Sequence, residues 1–134
     1  MAQSLKCNLK NLAIHRDARG WLVEVLKQSE IDQKIEQIYV ASLCPGAIRG
    51  NHWHLKRIEW FFVIGDNVQV HLQDAKTKET KVIDIRPDNP LRISIFPPIA
   101  HAVVNKGENV AYLISAQNNI YDPGDSDTFE YKIL

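Results

Sequence analysis

From residue 21 onward the chain repeats one rhythm: a short run rich in β-branched and aromatic residues, then a turn. The runs are WLVEVL (21–26), QIYVASL (37–43), EWFFVI (59–64), NVQVHLQD (67–74), KVIDI (81–85), RISIF (92–96), HAVVN (101–105) and VAYLISAQ (110–117). Between them stand CPG, IGDN, RPDNP and NKGEN, with DPGDSD after the last, and all of these carry turn chemistry. NVQVHLQD alternates strictly: Val68, Val70 and Leu72 share one face, Gln69, His71 and Gln73 the other. Only SEIDQKIEQ (29–37) has helical character, enough for one or two short turns. Evenly spaced strands without helical crossovers imply an all-β antiparallel sandwich or barrel. The pair GD at 65–66, between two strand-like runs, suits a tight hairpin.

Composition narrows the function classes. A chain of 134 residues, 45% of them hydrophobic, suits a single globular domain over 1–134. Basic and acidic residues number 16 each, which leaves no excess positive charge for general nucleic-acid binding. No apolar run approaches the roughly 20 residues that span a bilayer. The opening MAQSLKCNLKNLAI has no signal-peptide character, so a cytoplasmic location is expected. Cys7 and Cys44 form no C-x-x-C pattern and are expected to be reduced thiols.

The chemistry concentrates in RGNHWHLKRIEW (49–60). Residues two apart on a strand point the same way, so His52 and His54 share a face and Trp53 turns from it. Glu59, opening the next run, can fold back beside them, and His101, after FPPIA, is the candidate for a further ligand. Three imidazoles and a carboxylate suit zinc first, with nickel, iron or manganese also matching the donor set. The plainer alternative is a set of unmetallated polar side chains lining a barrel cavity. His15 and His71 are read as solvated.

These residues resemble the cupin motifs. Gly46, His52, His54, Glu59 and Gly65 follow the first motif, with the last glycine one residue early. His101 and Asn105 keep the second, in which Phe96 and Pro98 stand at its proline and glycine positions. RDARGWLVEVL (16–26), PGAIRGNHWH (45–54) and HAVVNKGE (101–108) resemble the dTDP-4-dehydrorhamnose 3,5-epimerase family. NNIYDPGDSDTFEYKI (118–133) is similar to the C-terminal cupin domain of bifunctional capsular polysaccharide enzymes acting on UDP-linked 4-keto sugars.

The resemblance implies a cupin-type jelly-roll β-barrel with a nucleotide-sugar site inside it. It implies that Arg19 and Arg49 contact a diphosphate, as bidentate guanidinium groups can, and that Glu24 lies near the base. It aligns Tyr121 with an acid, and puts Lys56 where it could hold substrate or enolate, or be a solvated strand-end lysine. The implied reaction on a dTDP- or UDP-linked 4-keto-6-deoxy hexose is epimerisation or 3,4-ketoisomerisation, within cell-surface polysaccharide biosynthesis. Both begin by removing the acidified hydrogen beside the carbonyl. His52 cannot be both a cation ligand and the base, so two mechanisms stand open. A binding-only cupin and a metal-dependent oxygenase are the rival functions. Exposed sheet edges imply a homodimer.

Overall fold

The computed structural model describes Leu5 and residues 7–134. Twelve strands form: β1 (Cys7–Asn11), β2 (His15–Asp17), β3 (Gly20–Leu22), β4 (Gln37–Leu43), β5 (Ile48–Trp53), β6 (Glu59–Ile64), β7 (Val68–Asp74), β8 (Thr80–Ile85), β9 (Leu91–Ile95), β10 (Ile99–Asn105), β11 (Ala111–Gln117) and β12 (Phe129–Glu130). One five-stranded sheet has the order β1-β9-β6-β11-β4 and the other β12-β5-β10-β7-β8, while β2 and β3 pair alone. All pairings are antiparallel. From β4 to β12 every connection crosses between the sheets except β7–β8, which is the jelly-roll arrangement the cupin resemblance implies.

The inner faces follow from alternation. Val68, Val70 and Leu72 of β7 are buried, as are Ile93 and Ile95 of β9 and Val103 of β10, and together they form the apolar core. β6 departs from that pattern, being buried at Glu59 through Val63. Its sequence EWFFVI lacks alternation for the same reason: both of its faces are covered. Glu59, Phe61 and Val63 face the barrel, while Phe62 lines an outer cavity together with Ile14, Trp21 and Val23 of the N-terminal layer.

Three sequence expectations change here. GD at 65–66 does not close a hairpin, because β6 pairs with β9 and β11 while β7 lies in the other sheet. Gly65 is needed for closeness instead: a Cβ there would sit 2.6 Å from Val68 Cγ2 and 3.0 Å from the Ala111 Cβ. WLVEVL (21–26) is strand only at Trp21 and Leu22. The helical expectation for 29–37 reduces to one 3-10 turn at Gln28–Glu30. Side chains compete with a helix there. Gln28 Nε2 donates to Gln33 O (2.6 Å), Gln28 Oε1 accepts from Ile35 N (3.0 Å), and Glu30 is drawn to Lys10 and Arg92. Among the described residues no helix is long and apolar enough to cross a membrane. Cys7 and Cys44 are unpaired.

Candidate metal centre

The β5–β10 pair builds one wall of the site, with His52 and His101 as cross-strand partners. The register shifts between His101 and Ala102, where the β5 backbone at Gly50 lies close against β10. Gly50 makes that approach possible: its φ is +99°, and a Cβ would lie 2.6 Å from His101 O. Replacing Gly50 by Ala would force a left-handed side chain against backbone. Such a G50A variant is expected to lose about 2–4 kcal/mol of stability, measurable by urea unfolding.

His52 turns inward from β5, and Trp53 turns outward to stack on Phe129 of β12, ring centroids 4.9 Å apart. His54 follows just beyond the strand. From the opposite sheet, the first residue of β6 brings Glu59 across. The nitrogens of His52, His54 and His101 and a Glu59 oxygen all lie within 4.8 Å of one another. Glu59 Oε1 is 2.6 Å from His54 Nε2 and 3.4 Å from His101 Nε2. Its other oxygen accepts from Ser115 Oγ (2.9 Å) and Gln117 Nε2 (3.4 Å).

The hydrogen bonds decide the tautomer of His54. Nδ1 lies 2.6 Å from the backbone carbonyl of Asp127, which can only accept, so Nδ1 carries the hydrogen. The Nε2 lone pair then faces the Glu59 carboxylate. Two acceptors at that distance require a proton or a cation between them. Neither ring nitrogen of His101 has a hydrogen-bond partner, although the side chain is buried. Burial lowers the His52 pKa to about 4, with His101 and His54 adding to the shift. Burial likewise pushes His101 below its ordinary value, against the pull of Glu59. For Glu59 burial works the other way, but the nearby imidazoles and the Ser115 hydroxyl outweigh it and hold the pKa at about 2. Lone pairs at His52 and His101 beside an ionised carboxylate fit a divalent cation.

A cavity of about 270 Å³ opens onto this cluster between β4 and β5. Arg49, Tyr39, Ala41 and Gly50 stand along it, with His52, Phe61 and His101 deeper in the same lining. Arg49 Nε donates to Ser42 O at 2.8 Å. The remaining sequence candidates lie elsewhere on this chain. Arg19 is paired with Asp17 at the β2–β3 turn, its side chain 90% exposed. Glu24 pairs with Lys27 at 3.1 Å on the surface. Lys56 reaches toward Asp125, and Tyr121 is 51% exposed, its backbone N–H donating to Gln37 Oε1. His15 is on the exposed hairpin, and His71 bonds Gln69 on the outer face of β7.

Sequence reasoning missed Tyr39, Ser115, Gln117 and Asp127. A signal existed for the first three, which are polar side chains on mostly apolar strands. Asp127 had none, since its partners are the backbone N–H groups of Leu55, Lys56 and Arg57, about seventy residues away.

Comparison with known proteins agrees with this fold. The spore coat polysaccharide biosynthesis protein SpsL of Bacillus subtilis (strain 168) is 32% identical over 126 residues, 89% of this chain and 83% of SpsL. The capsular polysaccharide assembling protein CapF of Staphylococcus aureus superposes with a TM-score of 0.70 at 24% identity, over 91% of this chain. This chain spans only 34% of CapF. ChmJ, a 3'-monoepimerase from Streptomyces bikiniensis in complex with dTDP-quinovose, gives a TM-score of 0.83 at 16% identity, over 96% of this chain and 70% of ChmJ. These two likenesses speak to the fold. Residues 15–129 match the profile of the polysaccharide biosynthesis C-terminal domain, and the chain belongs to that family.

Proposed function

We propose that this protein is a nucleotide-sugar epimerase or isomerase acting on a dTDP- or UDP-linked 4-keto-6-deoxy hexose in polysaccharide biosynthesis. The observation that carries the reading is a cation-fitting donor set at the end of a cavity with an arginine along its wall. His52, His54, Glu59 and His101 would hold a divalent cation, zinc first. Bound there, the cation supplies Lewis acidity toward a sugar carbonyl. Arg49 binds the diphosphate, whose two charged groups suit a guanidinium. The names of the relatives support the pathway, and a 3'-monoepimerase shares the architecture.

Arg19 and Glu24 lie in the N-terminal layer, outside the cavity of their own chain, and are assigned to substrate binding through a second subunit. Ile38 and Val40, each 64% exposed on the edge strand β4, support such a homodimer.

The test is incubation of purified protein with dTDP- and UDP-4-keto-6-deoxyglucose in heavy water, together with metal analysis. Deuterium is expected at C3 of one substrate. Absence of incorporation with both defeats the reading. Nucleotide-induced stabilisation without exchange would identify a binding module, and iron with oxygen consumption an oxygenase.

A further inference from the structure

The same cavity holds a group that the proposed reaction has not yet used. We propose that Tyr39 is an acid–base residue of this site, delivering a proton to the enolate carbon from the wall opposite His52. The proposal rests on the enolisation reading above. Tyr39 turns inward from β4 and lines the cavity with Arg49, His52 and His101, so a sugar seated there lies between β4 and β5. Epimerisation needs such an arrangement, because the proton must return to a face other than the one it left.

Tyr39 is also wired to the cluster. Its cross-strand partner on β11 is Ser115, which is fully buried. Ser115 Oγ in turn donates to Glu59 Oε2 at 2.9 Å. A phenol keeps its proton at neutral pH, so Tyr39, 36% exposed and open to the cavity, meets the substrate as an acid. Tyr121 has no comparable setting.

The proton balance is simple. The C–H bond beside the sugar carbonyl breaks, its proton passes to a base, and the electron pair moves onto the carbonyl oxygen. As the enolate collapses, the Tyr39 O–H bond breaks and a new C–H bond forms. The phenolate left behind accepts a hydrogen bond from Ser115, which swings from Glu59, where Gln117 still donates. Through water entering the emptied cavity the proton held by the base passes to the Tyr39 phenolate, so both groups begin the next turnover as they began the first.

The experiment compares wild type, Y39F, S115A and Y121F with the two keto sugar nucleotides in heavy water. Deuterium uptake, product formation and bound metal are read separately. For Y39F, product formation is expected to fall on the order of 10²-fold, with KM and metal content near wild type. Deuterium uptake should persist, because the first proton transfer survives, so the ratio of exchange to product rises. S115A should show a smaller fall with the same rise in ratio. Wild-type product rates in Y39F overturn the proposal, as does joint loss of exchange, product and metal, which would mark a structural role. A fall in Y121F instead of Y39F overturns it as well. A wild type without any exchange overturns the enolisation reading, and the Tyr39 role with it.

Discussion

Glu59→Gln is expected to abolish tight cation binding while leaving the cation-free fold nearly intact. Glu59 is the one anionic member of the cluster, 2% exposed, and sits against His54 and His101. A glutamine of the same shape still accepts from Ser115, and its amide can donate to the His54 lone pair. The cation-free protein therefore trades one satisfied arrangement for another, and its stability should stay within about 1 kcal/mol. The cation loses its only negative ligand, and affinity should fall at least on the order of 10²-fold. At a metal concentration of about 100 times the wild-type Kd, binding stabilises the wild type by about 2.7 kcal/mol. The same concentration would then stabilise the variant by only about 0.4 kcal/mol. For a domain of this size that difference is a chelator-sensitive Tm shift of several degrees in one protein and almost none in the other. Isothermal titration with zinc gives the direct measurement. Equal zinc affinity in the two proteins would show that these four residues are a hydrogen-bonded polar cluster and no metal centre.

The legibility of this site in the sequence differs from residue to residue, for physical reasons. His52 and His54 were readable because strand alternation alone puts them on one face. Glu59 and His101 could be named from their residue types and positions, but strand alternation could not show that they reach the site from β6 on the opposite sheet and from β10. The strand QIYVASL was found at its full length, Gln37–Leu43, because its turn signals are clear at the C-terminal end. The direction taken after β6 was not readable. GD is a hairpin signal only when adjacent strands pair, and in a jelly roll the pairing partners of β6 come from residues 91–95 and 111–117. The segment 29–37 misled for the opposite reason: its composition favours a helix, but Gln28 and Glu30 spend their side chains on other partners. Arg49 had only the family resemblance behind it: an odd spacing of three from His52 would face away on a regular strand, and the positive φ of Gly50 and Asn51 breaks that alternation. Arg19 and Glu24 had family resemblance behind them but no local geometry that fixes where their side chains end.

Asp127→Ala should be among the most destabilising single changes outside the apolar core. The Asp127 carboxylate accepts the backbone N–H groups of Leu55 (2.8 Å), Lys56 (2.9 Å) and Arg57 (2.9 Å), so one side chain organises the turn that follows His54. Its own carbonyl fixes His54 through Nδ1. Both contacts depend on a left-handed backbone at Asp127, φ 50°, a conformation that aspartate tolerates better than alanine. Removing the carboxylate leaves those donors without their anion, and the N–H of buried Arg57 is the least able to find water. A loss of about 3 kcal/mol follows from one such charged acceptor and its dependent donors. A second effect is separable from the first. With the Asp127 backbone released, His54 loses the bond that orients its ring, and zinc affinity should fall on the order of 10–100-fold. Asp127→Gly divides the two contributions, because glycine removes the left-handed strain but not the missing hydrogen bonds. It should recover about 1 kcal/mol relative to alanine and still bind zinc weakly. Asp127→Asn tests the charge: its amide must turn one N–H toward backbone donors, so it should recover only part of the loss. Urea unfolding and zinc titration across the three variants give the answer. If Asp127→Ala unfolds within about 0.5 kcal/mol of wild type and binds zinc equally well, the segment after β11 is a passive tail and His54 is held by the barrel alone.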